Sequence, residues 1–312
     1  MENKGKILIV DDVHPLLIEG LKDLNWQVDY FPDIQVTKIK EILSTYQGLI
    51  LRSKIWVDKS IIDLGSSLKF IARAGAGMEN IDEDYAIGKG IICHNAPEGN
   101  RDAVADHVLM LMLGLLRNIK KSILELGQGI WNREGNRGKE LSEMIVGIIG
   151  FGNNGEAFSK RLEGFRCKVL VFDKYKKIQE SDYIKQVGMN EIFENADILT
   201  LHIPLTEETK YLVDKEFIRK FKKNIYLVNA SRGKICKEND LFDLLIEKKI
   251  LGLALDVLEK ENFNELNSDE KLSLKKLLGE GNVIITPHIA GWTIESYNKI
   301  SKVLLEKIRL MS

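Results

Sequence analysis

Short apolar runs alternate with amphipathic or turn-rich segments along the whole chain. Strand-like runs stand at Ile7-Leu8-Ile9-Val10, Val28-Asp29-Tyr30-Phe31, Leu49-Ile50-Leu51, Phe70-Ile71-Ala72 and Ile91-Ile92-Cys93. A second series stands at 145–149, 169–172, 198–201, 226–228, 251–255 and 283–285. Strands that alternate with helices predict parallel sheets with helices on their faces. Between the two series, Asp102 to Lys121 predicts one long helix. Its stretch from Val104 to Leu116 is apolar nearly all round, so it is expected in a core or at a subunit interface. A last helix, from about Glu295 to Arg309, follows the second series and is expected to fold back onto the first domain.

The 312 residues suit two domains at roughly 100–200 residues each. We expect one domain from 1–98 with 292–312, and a second from 99–291. The 45 basic and 46 acidic residues nearly cancel, for a net charge of -1. That balance disfavours nucleic acid, while an anionic small molecule needs only a local basic pocket. Cys93, Cys167 and Cys236 form no CxxC pair, so neither a disulfide framework nor a metal site is expected, and a reducing cytoplasm is. The start, Met1-Glu2-Asn3-Lys4-Gly5-Lys6, leads straight into a strand, so no signal peptide is expected. The longest apolar run, Val108 to Leu116, is too short to span a membrane.

Candidate chemistry starts at the strand Ile145–Ile149. It runs into Gly150-x-Gly152-x-x-Gly155, and a helix is predicted to follow. This is the context of a dinucleotide fingerprint. Gly150 makes the tight turn, Gly152 lets backbone approach a pyrophosphate, and Gly155 lets the helix pack closely. The next strand ends in Asp173, where a carboxylate binds the ribose hydroxyls of NAD and repels the extra phosphate of NADP. Lys174, Lys176 and Lys177 read as solvated. The first strand is followed by Asp11-Asp12-Val13-His14-Pro15, without glycine, so the N-terminal half is expected to carry substrate-binding surface instead.

Three later segments put polar groups just beyond strand ends, where sites form in open α/β sheets. Asn229-Ala230-Ser231-Arg232-Gly233 offers an arginine that can fork onto a carboxylate. Asp256-Val257-Leu258-Glu259-Lys260-Glu261 offers three carboxylates. Thr286-Pro287-His288-Ile289-Ala290-Gly291 offers a histidine able to change charge near neutral pH. His14, His94, His107 and His202 read as structural.

The chain, from about Leu8 to Ile300, resembles the D-isomer-specific 2-hydroxy-acid dehydrogenase family. The motifs that carry this are Arg73-Ala74-Gly75-Ala76-Gly77-Met78-Glu79-Asn80-Ile81-Asp82, the glycine turn, Asn229-Ala230-Ser231-Arg232-Gly233, Leu255-Asp256-Val257 with Glu261, and Pro287-His288. The resemblance implies a Rossmann-type doubly wound parallel sheet inserted into a discontinuous flavodoxin-like α/β substrate domain. It also implies NAD as cofactor and a homodimer formed through the nucleotide domain. Arg232 would bind the substrate carboxylate, His288 would exchange the hydroxyl proton, and Glu261 would hold His288 and raise its pKa. Cofactor contacts would come from Ala76, Gly150, Gly152, Asn153, Asn154, Gly155, Asp173, Ile203, Ala230, Ser231, Arg232, Asp256, His288, Ala290 and Gly291. Gly75, Ala76 and Gly77 would offer amides to the substrate.

Within the family, Leu51-Arg52-Ser53 and Ala72-Arg73-Ala74 resemble the members that oxidise D-3-phosphoglycerate, where Arg52 and Arg73 would face the phosphate. Arg133 and Arg137, after Trp131, resemble a segment that reaches a neighbouring subunit. The end at Ser312 leaves no effector domain, so feedback control through one is not expected. Trp292 stands where many members carry a small residue. The alternatives are a glyoxylate, hydroxypyruvate or other 2-oxo-acid reductase and, from another class, a non-enzymatic NAD-sensing scaffold.

Overall fold

The computed structural model describes residues 4–311. Met1-Glu2-Asn3, where no signal peptide is expected, and Ser312 lie outside the described residues. Contacts divide the chain into two compact units. One runs to Arg101 and resumes at Trp292, and the other is Asp102–Gly291. The division falls inside a helix, three residues beyond the expected 98/99.

The first unit holds β1 (Lys6–Ile9), α1 (Pro15–Asp23), β2 (Gln27–Tyr30), α2 (Val36–Ile42), β3 (Gly48–Leu51), α3 (Lys59–Leu64), β4 (Phe70–Arg73), α4 (Glu83–Gly88) and β5 (Ile92–His94). The strands are parallel in the order β2-β1-β3-β4-β5, a flavodoxin-like order. Ile7 to Ile9, Leu49 to Leu51 and Phe70 to Ala72 are buried, because helices cover both faces of a parallel sheet.

Pro97–Leu116 forms α5, and Ile119–Gly127 forms α6. The long helix expected at Asp102 to Lys121 therefore starts earlier and breaks sooner. Pro97 suits a first turn, where its missing N–H costs nothing. Asn118 adopts φ 52°, a left-handed conformation that asparagine tolerates, and this ends α5. Val104, Val108, Leu111, Met112 and Leu115 are buried as expected, but Met110 is exposed.

The second unit continues with β6 (Ile145–Ile149), α7 (Asn153–Leu162), β7 (Lys168–Phe172), β8 (Ile184–Gln186), α8 (Met189–Asn195), β9 (Ile198–Leu201), α9 (Lys215–Arg219), β10 (Ile225–Asn229), α10 (Glu238–Ile246), β11 (Ile250–Leu255), α11 (Ser268–Gly279) and β12 (Val283–Ile285). Its parallel order is β12-β11-β10-β9-β6-β7-β8. This is the Rossmann order with a seventh strand beyond the last, so the fold is the doubly wound α/β class that the sequence predicted. Six strands were expected here. The extra one, β8, is a three-residue edge strand in which Ile184 alone is buried, so it leaves no apolar run to read.

The final helix, α12 (Ile294–Leu310), belongs to the first unit. Leu304 and Ile308 join Leu17 and Leu21 in one apolar cluster. Gly99 lets α5 begin hard against this helix, because a Cβ there would lie 2.6 Å from the backbone nitrogen and Cα of Ile300. Gly99→Ala forces two backbones apart. We expect it to destabilise the protein by about 1–3 kcal/mol, measured by urea unfolding.

Candidate active site

The second sheet reverses direction at β6, which pairs with β7 on one side and β9 on the other. Ligands bind beyond the strand ends at such a switch point. Gly150 follows β6 with φ 93°, and a Cβ there would lie 2.4 Å from the carbonyl oxygen of His202. A Cβ on Gly155 would lie 2.1 Å from the carbonyl oxygen of Gly150. A Cβ on Gly152 would meet nothing within 4 Å, so that side of the turn is open. The first intrahelical bond of α7 runs from Glu156 N to Gly152 O, at 3.0 Å. The amides of Asn153, Asn154 and Gly155 therefore have no intrahelical carbonyl and form an anion-binding terminus. Oδ1 of Asn154 and Nε2 of His202 are buried here without a partner. His202 packs on Phe158, and burial pulls its pKa down to about 4, so the ring is neutral.

Asp173, after β7, accepts from the amides of Phe151 at 2.6 Å, Tyr175 at 2.9 Å and Lys176 at 2.8 Å. Burial alone would raise its pKa. The amides outweigh burial and hold it below the ordinary value, so a fixed carboxylate stands beside the glycine turn. Lys174 and Lys176 pair with Glu208 and Glu156. Open amides, a bare glycine face and a fixed carboxylate fit the pyrophosphate and ribose of a dinucleotide.

The loop after β10 is set by Asn229, which is fully buried. Its side chain donates to Arg232 O and accepts from Ser231 N, each at 3.0 Å. The Ser231 hydroxyl donates inward to Leu201 O, and Arg232 Nη1 donates to Ser231 O. Gly233 brings this loop against the one after β11, since a Cβ there would lie 2.0 Å from the carbonyl of Leu258. Glu259 and Glu238 each bond the other's backbone amide, and Tyr211 donates to Glu259 at 3.0 Å. Burial pushes Glu238 up to about 7. Glu259 is thus a loop clamp. Glu261 is the acid that reaches His288, with Oε2 at 2.9 Å from Nδ1. Nε2 of His288 has no partner among the described residues.

Asp256 changes the expected picture. It is expected among the cofactor contacts, but its side chain is fully buried. It accepts from Thr286 Oγ1 at 2.5 Å, Ile289 N at 2.9 Å and Ala290 N at 2.7 Å. With the Thr286 hydroxyl proton committed, Nε2–H of His107 donates to the Thr286 oxygen at 3.0 Å and lies 3.4 Å from Asp256. Burial would raise the Asp256 pKa, but these bonds hold it below the ordinary value. The network grips both sides of His288, whose backbone is in the left-handed region at φ 55°. The sequence reading missed the roles of His107 and Thr286 in this grip. Neither residue carries a local signal for it.

In the first unit, Asp11 Oδ2 accepts from the amides of Arg52 at 2.6 Å and of Ser53 and Lys54 at 3.1 Å. Arg73 Nε and Asn80 Nδ2 each donate to Arg52 O at 3.2 Å. Gly75 departs from expectation, because its amide already donates to Arg73 O at 2.8 Å. The Ala76 carbonyl accepts from Asn95 at 2.6 Å. Arg137 pairs with Glu134 at 2.6 Å.

A dinucleotide turn, an arginine loop and a histidine–carboxylate pair, all beyond strand ends of one Rossmann sheet, define a nicotinamide-dependent dehydrogenase. The chain belongs to the D-isomer specific 2-hydroxyacid dehydrogenases: the model of that family's NAD binding domain matches residues 109–290. It is an NAD-dependent enzyme acting on the CH–OH group of D-2-hydroxy acids. A hydroxypyruvate reductase from Thermotoga maritima is 35% identical over 276 residues, 88% of each chain. A D-3-phosphoglycerate dehydrogenase from Methanocaldococcus jannaschii is 34% identical over 97% of this chain. This chain spans 57% of that protein's length. The structure of D-lactate dehydrogenase from Aquifex aeolicus, complexed with NAD and lactic acid, matches with a TM-score of 0.83 at 26% identity. That match covers 98% of this chain and 95% of the other.

Asp256→Asn leaves one acceptor where three donors converge. We expect a loss of about 3 kcal/mol in stability by denaturant unfolding, with reduced turnover in the folded fraction.

Proposed function

We propose that the enzyme oxidises D-3-phosphoglycerate to 3-phosphohydroxypyruvate, the first step toward serine. The observation that carries this reading is Arg52. It follows β3, and among the described residues its guanidinium makes no hydrogen bond or ion pair. A phosphorylated acid needs such a cation away from its reacting carbon. The relative from Methanocaldococcus jannaschii supports the same substrate.

Residue roles follow from the chemistry. Arg232 takes the substrate carboxylate. Nε2 of His288 accepts the hydroxyl proton, because Nδ1–H is spent on Glu261. Glu261 fixes that tautomer. Arg52 and Arg73 take the phosphate, with the amides of Ala76 and Gly77 as further donors. Gly152, Asn153, Asn154, Gly155 and Asp173 hold NAD, with Ile203, Ala230, Ser231, Ala290 and Gly291 bordering it. Bound NAD supplies the hydride acceptor. The three cysteines are free, which suits a cytoplasmic enzyme. No helix among the described residues is long and apolar enough to cross a membrane. Met110, Ile119, Ile123, Leu126 and Trp131 are exposed on and after α5 and α6, which suits a homodimer through this face.

A hydroxypyruvate or glyoxylate reductase is the second reading. It is favoured by the Thermotoga maritima relative, which matches over equal shares of both chains. The NAD-sensing scaffold gains no support beside a formed Glu261–His288 pair.

Substrate-dependent NADH change across D-2-hydroxy acids and 2-oxo acids tests the substrate. We expect the highest kcat/KM with D-3-phosphoglycerate, and background rates on all phosphorylated acids sink the proposal. His288→Gln should lower turnover about 100-fold or more with NADH affinity retained. Unchanged turnover removes His288 from the chemistry.

A further inference from the structure

The first sheet has its own switch point, between β1 and its neighbour β3. Asp11 and Asp12 follow β1, and Arg52 follows β3. Both carboxylates act on Arg52 through space, but neither pairs with its guanidinium, and each is hydrogen-bonded to other groups. Asp11 holds three backbone amides. Asp12 accepts from the hydroxyls of Tyr30 at 3.0 Å and Tyr297 at 2.7 Å. The half-buried guanidinium instead lies over the indole of Trp292, 4.0 Å from the ring centroid.

We propose that Trp292 is the positioning residue that makes Arg52 an anion-binding group, and thereby selects acids with a second charged group. The inference rests on the reading of Arg52 as the phosphate ligand. An aromatic face attracts a guanidinium through its plane, whereas the N–H donors lie along its edges. A carboxylate partner would occupy those donors. The indole holds the group and leaves the donors open to fork onto a phosphate. The platform is itself fixed. Trp292 directly precedes Thr293, which caps α12 in a reciprocal capping box with Ser296. Tyr297, in the same first turn, is tied to Asp12. The tryptophan therefore selects for phosphate through Arg52.

The test compares the wild type, Trp292→Ala and Trp292→Phe on D-3-phosphoglycerate and D-glycerate. In Trp292→Ala we expect KM for D-3-phosphoglycerate to rise about tenfold, with kcat and the D-glycerate kcat/KM within about twofold of wild type. Trp292→Phe keeps an aromatic face and should restore most of the loss. Equal changes on both acids overturn the inference. A second measurement separates it from the substrate reading: the inhibition constant of inorganic phosphate against whichever 2-hydroxy acid is turned over. If the wild type ignores D-3-phosphoglycerate, that substrate falls. The role of Trp292 then survives if phosphate inhibition weakens about tenfold in Trp292→Ala and returns in Trp292→Phe. An unchanged inhibition constant in Trp292→Ala overturns it.

Discussion

The catalytic half of this enzyme depends on one buried carboxylate. Asp256 sits at the end of β11 with no contact with solvent, and it gathers a hydroxyl and two amides from the segment after β12. A charge so placed is stable only when fully hydrogen-bonded, and these partners complete that shell. The consequence lies at His288. A non-glycine residue at φ 55° is strained, and the strain persists because the bonds on both sides over-determine it. The imidazole is thus aimed by a group that does not touch it, while Glu261 fixes its tautomer.

The same economy appears at the two switch points. In each sheet, the strand order reverses where a loop presents unsatisfied donors beyond the strand ends. In the second sheet those donors are the open amides of α7 beside a glycine with nothing near its missing Cβ. In the first they are the guanidinium N–H groups of Arg52. One switch point presents backbone donors and the other a side chain, and beside each a carboxylate is tied to backbone amides. Asp173 is tied to three amides, and Asp11 to three more. Carboxylates bonded in this way fix the shape of each loop.

Much of this could be read from the chain. Strands of a parallel sheet are buried on both faces, so they appear as continuous apolar runs, and the core strands are visible for that reason. The glycine turn is visible because its constraints are steric. Gly150 and Gly155 each have a carbonyl where a Cβ would stand. Strand β8 left no run because an edge strand of three residues buries one side chain. The break at Asn118 was hidden because asparagine fits both a helix and a left-handed turn. Asp256 was misread for a deeper reason. An acid after a strand looks the same whether it faces a cleft or turns inward, and amides distant in sequence decide which. The stacking of Trp292 on Arg52 likewise has no local signature.

The return of α12 to the first unit also sets an order of assembly. Leu304 and Ile308 complete a cluster begun by Ile7, Ile9 and Leu17, and all of Asp102–Gly291 lies between them in the chain. During synthesis the second unit emerges whole before the residues that finish the first. Its early folding draws the ends of that insertion together, which shortens the effective loop that the first unit must close and lowers the entropy lost in closing it. The enzyme's nucleotide-binding unit thus acts as a folding aid for the unit in which it is inserted.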